Sequence, residues 1–137
     1  MSLGPNWAGL DKGFLAKGSD AYKIGQPVKF DTDPQSVSAI SGALTATTVV
    51  GICQENIDAN KVATGKAIIN VRLAGLSKGI AGATNIPKGT RLTVNTSGQF
   101  VAATTGNRVI ATATEVGPAT VGLLMDVILA DGTTVLA

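Results

Sequence analysis

Two stretches of this chain echo each other, and that repetition constrains the fold more than any other feature. The first is the apolar run Val49-Val50-Gly51-Ile52-Cys53-Gln54-Glu55, a connection, and then Lys66-Ala67-Ile68-Ile69-Asn70-Val71-Arg72-Leu73-Ala74-Gly75. The second is Val109-Ile110-Ala111-Thr112-Ala113-Thr114-Glu115, a Gly-Pro turn, and then Val121 to Gly132. Each is an apolar run closing on Glu, a connection, and a second apolar run closing on Gly. Runs of this length bounded by turn residues read as strands. The halves look like diverged copies, with Gly25 to Asp31 before the first strand pair and Lys88 to Val94 before the second. Two copies are too few for a solenoid. The pattern predicts an all-β fold, a small β-barrel or β-sandwich with internal pseudo-duplication and an extended N-terminal arm.

The strand faces differ between the copies. In the first, Ala67, Ile69, Val71 and Leu73 alternate with Lys66, Asn70 and Arg72, which marks a sheet with one dry and one wet side. In the second, Val121, Leu123, Met125, Val127 and Leu129 share one face, while Gly122, Leu124, Asp126, Ile128 and Ala130 leave the other largely apolar too. Such a strand is central to a core or covered by another subunit. Leu124 and Ile128 are therefore candidate subunit-interface residues.

Residues 1–23 read as an arm and 24–137 as the β-barrel-like domain. The arm has glycines at 4, 9, 13 and 18 and no sustained period, yet it holds Trp7, Phe14 and Tyr22, three of the five aromatics in the chain. Disordered tails are poor in aromatics. Either these side chains fold back on their own domain, or the arm orders on a neighbour, where Trp and Tyr make good anchors. On the second reading Trp7, Leu10, Phe14, Leu15 and Tyr22 carry the binding.

Elsewhere, Gly25-Gln26-Pro27 turns into a short strand at Val28 to Asp31, and residues 35–48 suit a strand or edge containing Val37 and Ile40. Residues 56–65 read as a loop. Residues 75–91, rich in glycine, read as loops with short strands at Ile80 and Ile86. Leu92 and Val94 enter a hairpin that turns at Asn95-Thr96-Ser97-Gly98.

The chemistry-bearing residue types are sparse. Without histidine there is no Ser-His or Cys-His nucleophile pair and no His metal site. The single Cys53 excludes an internal disulfide and reads as a buried small hydrophobe. Asp31 and Asp33 lack the further spaced oxygen ligands of a calcium loop and read as a solvated turn. Glu55 and Glu115 occupy equivalent places in the copies; a glycosidase-type acid–base pair is the sharper reading of them, and the polar ends of two strands the simpler. No phosphate loop is present. No catalytic residue, metal or cofactor is expected, and the chain does not read as an enzyme. A net charge of +2, with charged residues at 15%, leaves no basic cluster for direct nucleic-acid binding. The longest apolar segment, Val121 to Ala130, is too short to span a membrane as a helix. Met1 to Gly13 lacks the pattern of a secretory signal, so synthesis in a cytoplasm without signal-directed export is expected.

Taken together, the Gly51 strand, the Ile69-Asn70-Val71-Arg72-Leu73-Ala74-Gly75 strand, the Pro87-Lys88-Gly89-Thr90-Arg91-Leu92 entry and the Gly98-Gln99-Phe100 hairpin resemble the small capsid cement, or decoration, proteins of tailed bacteriophages, over about residues 23–132. The resemblance implies a barrel-like domain on the outer surface of the mature head, made in the host bacterial cytoplasm. It implies the major capsid protein as partner, a homotrimer, and an N-terminal segment that contacts the capsid, so that contacts between capsid subunits are stabilised. The arm is longer here than in shorter members. The competing expectation is a glycan-binding β-module on a virion or cell surface, for which Phe30 and Phe100 are the available aromatic platforms.

Overall fold

The computed structural model describes residues 9–40 and 49–129. Strand β1 spans Gly9–Ala16, β2 Pro27–Phe30, β3 Ser36–Ala39, β4 Val49–Cys53, β5 Ile68–Ile80, β6 Arg91–Val94, β7 Phe100–Ala102, β8 Ala111–Ala113 and β9 Leu124–Leu129; among the described residues one short helix, α1, spans Ala59–Ala63. The fold is nearly all-β, as the periodicity predicts.

The strands form one continuous ladder in the order β1-β3-β2-β4-β5-β9-β8-β6-β7, and a further β1–β5 pairing closes the first five into a barrel. Closure removes the open edges that an isolated sheet would present. Strand β5 is shared. Its first part pairs with β1 and β4, and its second part, Gly75 to Ile80, pairs with β9.

The duplication is visible in the ladder itself. In the first copy β1 runs parallel to β3 and antiparallel to β5. In the second, the end of β5 makes a parallel bridge from Ala81 to Phe100 of β7 and runs antiparallel to β9. The remaining pairings also correspond: β2–β3 with β6–β7, β2–β4 with β6–β8, and β4–β5 with β8–β9. Thus β5 is both the last strand of the first unit and the opening strand of the second. The registers fix equivalent positions. Leu15 opposes Ile68 as Ile80 opposes Leu124, and Asp11 opposes Arg72 as Leu76 opposes Ile128.

This double role requires β5 to bend. The β1–β5 register slips between Leu10 and Asp11, leaving Leu73 as an extra residue, and Gly75 follows with φ +95°. A bulge plus a left-handed glycine redirects a strand without ending it. Gly79 serves a different need. A Cβ there would lie 2.7 Å from the Phe100 ring, so the ring of β7 packs directly on the β5 backbone. The sequence reading placed loops from residue 75 onward because these glycines resemble turn punctuation. The strand instead continues to Ile80, and Ile86 is buried outside any strand.

Two cores result. Phe14, Tyr22, Val28, Val37, Cys53, Ile69 and Val71 fill the first. Leu92, Val94, Phe100, Ile110, Met125 and Val127 belong to the second, together with Ile52 from β4. Neighbouring Ile52 and Cys53 therefore serve opposite cores, and both are fully buried. This accounts for the uninterrupted apolar run at 49–53. The strand buried on both faces is β4. Strand β9 buries Met125 and Val127 inward and leaves Leu124 and Ile128 each 43% exposed.

The connection at 56–65 contains α1, with Asp58 as N-cap accepting a hydrogen bond from the Lys61 amide at 3.0 Å and Val62 packed in the first core. The hairpin at 95–98 forms as expected. Asn95 Oδ1 accepts from the Ser97 and Gln99 amides, and Gly98 takes φ +76°.

Candidate interaction surface

The residues expected to form a binding arm divide sharply. Strand β1 lies within the barrel, so Phe14 is 3% exposed, and Tyr22, beyond β1 and bridged to Ile57, is 2% exposed. The Tyr22 hydroxyl donates to the Lys17 carbonyl at 2.6 Å and lies 3.3 Å from the Val37 carbonyl. Burial pushes its pKa up to about 12. Leu15 is half-buried on β1. Leu10, by contrast, is 63% exposed. Trp7 lies outside the described residues. Of the two readings of these aromatics, folding back onto the domain is the one that Phe14 and Tyr22 follow.

Around Leu10 the chain builds a junction that sequence inspection missed. Leu10 opposes Ala74, and Gly75 is the register partner of both Gly9 and Leu129. The two ends of the described chain therefore meet beside one residue, about two strand spacings (~10 Å) apart at most. Arg72 clamps this point. Its Nε donates to Asp11 Oδ1 at 2.5 Å, its Nη2 to Asp11 Oδ2 at 3.0 Å, and its Nη1 to the Leu76 carbonyl at 2.7 Å. Asn70 adds a further bond to Asp11 at 3.0 Å. The hydrogen bond from Arg72 holds the Asp11 carboxyl below the usual carboxylate range. Bidentate guanidinium–carboxylate geometry fixes direction as well as energy, so the pair locks β1 onto β5 where β5 bends. The wet face at Asn70 and Arg72 was legible from alternation. Its partner, 59 to 61 residues away, was not.

Beyond the bend, the outer face of β5 and β9 carries three rungs. Leu76 opposes Ile128, Lys78 opposes Asp126 in a salt bridge, and Ile80 opposes Leu124. Leu76 is 49% exposed. Leu124 lies over Gly25, next to the partly exposed Ile24. The structure thus gives Leu124 and Ile128 a common face and adds Leu76 and Ile80. Leu76 was obscured by reading the stretch after Gly75 as loop, and Ile80, read as a short strand of its own, was not assigned to this face.

The catalytic alternative finds no paired geometry. Glu55 borders an open cleft of about 500 Å³ with Lys61 and Lys66, whereas Glu115 borders a separate groove of about 350 Å³ with Leu76 and Asp126. Asp33 is occupied by its own turn. Its carboxylate accepts from the Ser36 hydroxyl and the Gln35 amide, the first of which chiefly lowers its pKa. Among the described residues no group of three or more His, Cys, Asp or Glu could hold a metal. Cys53 is buried, which raises its pKa, and its thiol donates to the Glu55 carbonyl at 3.0 Å. The glycan-binding alternative loses one of its two platforms, since Phe100 is fully buried. Phe30 is 47% exposed and packs edge-on against Phe14 at 6.1 Å.

No protein-family model and no curated protein matches the chain. Among solved structures, it is similar to the N base of head fiber gp8.5 of bacteriophage phi29, with a TM-score of 0.63 and 15% identity, over 91% of this chain and 98% of that one. At that identity the likeness is one of fold, and it covers the barrel and most of the strands beyond it.

Proposed function

We propose that this chain is a structural protein of a tailed-phage virion, seated on the outer surface of the mature capsid, where it binds the major capsid protein and stabilises contacts between its subunits. The observation that carries this reading is the near end-to-end fold likeness to the base of a phage head fiber. The sequence resemblance to decoration proteins points the same way from different residues. The exposed Leu10, at the point where residues 1–8 join the barrel, is the described part of the attachment. Residues 1–8, with Trp7, supply the rest, so the attaching arm is shorter than the 23 residues suggested by composition.

The test is binding to expanded, undecorated heads of the phage that encodes the chain. Saturable co-sedimentation of the full chain is expected, and removal of residues 1–8 should weaken it without unfolding the domain. No binding by the full chain at saturating concentration would refute the proposal. Equal binding after the deletion would refute the role of residues 1–8.

A further inference from the structure

We infer that the outer face of β5 and β9 is where a second copy of this chain docks. Three observations carry the inference. First, the face is uncovered: Leu76, Leu124 and Ile128 are between 43% and 49% exposed, and they lie on two strands whose other sides are packed in the core. Second, the barrel does not require apolar residues there. The equivalent rung of the first unit is Asp11–Arg72 in place of Leu76–Ile128, and Gly13–Asn70 stands in place of Lys78–Asp126. The same fold, in the same molecule, thus carries a charged rung beside the bend in one copy and an apolar rung there in the other, while the far rung is apolar in both. Third, the face is self-complementary. Read from either end it runs apolar rung, ion pair, apolar rung. A second copy docked about a two-fold axis that runs along the strands lays each rung on the same rung of the other copy, apolar on apolar, and sets Lys78 of each copy opposite Asp126 of the other. A self-complementary patch of this kind is what an isologous contact between identical subunits demands.

The same matching explains why a charged pair sits inside an apolar patch. A lone charge there would be desolvated without compensation on docking. Two pairs exchanged across the contact remain neutralised and set its direction. This inference concerns contacts between copies and does not depend on capsid binding, so the two can fail separately.

The experiment is sedimentation equilibrium of the full chain over a wide concentration range, with circular dichroism to verify folding. The wild type is expected to associate. Leu76→Asp and Ile128→Asp should each weaken association at least about tenfold, as central apolar contacts do. Should either aspartate variant fold poorly, Leu76→Ser and Ile128→Ser replace it. Ile68→Asp is the control: it is the register equivalent of Leu124 in the first unit, is 58% exposed, and should leave the mass unchanged. Lys78→Glu and Asp126→Lys should each weaken self-association, and mixing the two variants should restore it. A dimer behaving this way supports the inference; a closed trimer, which requires a heterologous contact, would overturn the two-fold arrangement. A wild-type monomer at all concentrations, an unchanged mass in both Leu76 and Ile128 variants, or a mixture no more associated than its components would overturn it. Monomeric Ile128→Asp that still binds heads would separate this contact from capsid attachment.

Discussion

At the scale of single residues, two polar contacts brace the first unit: Asp11 with Arg72, 61 residues apart, and the Tyr22 hydroxyl on the Lys17 carbonyl, 5 residues apart. Asp11 and Arg72 are partly shielded and joined by two hydrogen bonds, so Arg72→Met should cost about 1 kcal/mol, above the median for exposed pairs. The sign of the pH dependence follows from the lowered pKa of Asp11. The pair stabilises fully above the unfolded carboxyl value, near 3.9. Its contribution fades as pH falls through the lower folded value. Urea midpoints measured from pH 7 to pH 2 should show a loss in the wild type that Arg72→Met lacks. Tyr22 behaves in the opposite sense. Its folded pKa is raised to about 12 by burial, so its contribution is present below the unfolded value, near 10, and fades as pH rises toward 12. Tyr22→Phe should lose about 1 kcal/mol at neutral pH through the missing bond to the Lys17 carbonyl. It should also remove this part of the alkaline destabilisation. The presence of Tyr22 in an aromatic-bearing leader was plain in the sequence. Its destination was not, because local period gives no information about which core a buried ring enters.

At the scale of elements, β4 and β5 explain most of what the pattern revealed and most of what it concealed. The apolar run at 49–53 and the alternation at 67–73 announced both strands, since side-chain period follows directly from strand geometry. Whether a strand is buried on one face or two depends on what lies behind it. Ile52 serves the second core, and no spacing within residues 49–53 could show that. Ile52→Ala should therefore destabilise by about 2–5 kcal/mol, whereas Ile128→Ser, on the open face, should change thermal stability of the monomer by no more than about 0.5 kcal/mol. Glycine was the other source of error. Gly79 marks close packing against Phe100, where a turn was read. Gly79→Ala should cost about 1–3 kcal/mol through overpacking, measurable as a lowered denaturation midpoint with native-like circular dichroism. Two glycines in one stretch, one for a bend and one for contact, look alike in sequence because both remove a Cβ.

At the scale of the whole molecule, the duplicated architecture was readable because both copies retain the same order of strands. The sharing of β5 between them was not, since it depends on a bend at Leu73 to Gly75 that joins what looked like a strand to what looked like a loop. The shared strand brings the two ends of the described chain together beside Gly75 and places the polar clamp and the apolar face on either side of that point. Under the proposed function, such a surface would serve the chain better than a cleft. Repeated on a capsid lattice, even a modest footprint at about 25 cal/mol per Å² adds up across many sites, and attachment by more than one copy adds avidity. The central claim is that this chain stabilises a phage head. The most direct measurement is the temperature at which expanded heads release their DNA, with and without saturating protein. A clear rise on addition of the full chain is predicted; an unchanged release temperature with the protein bound would contradict the account.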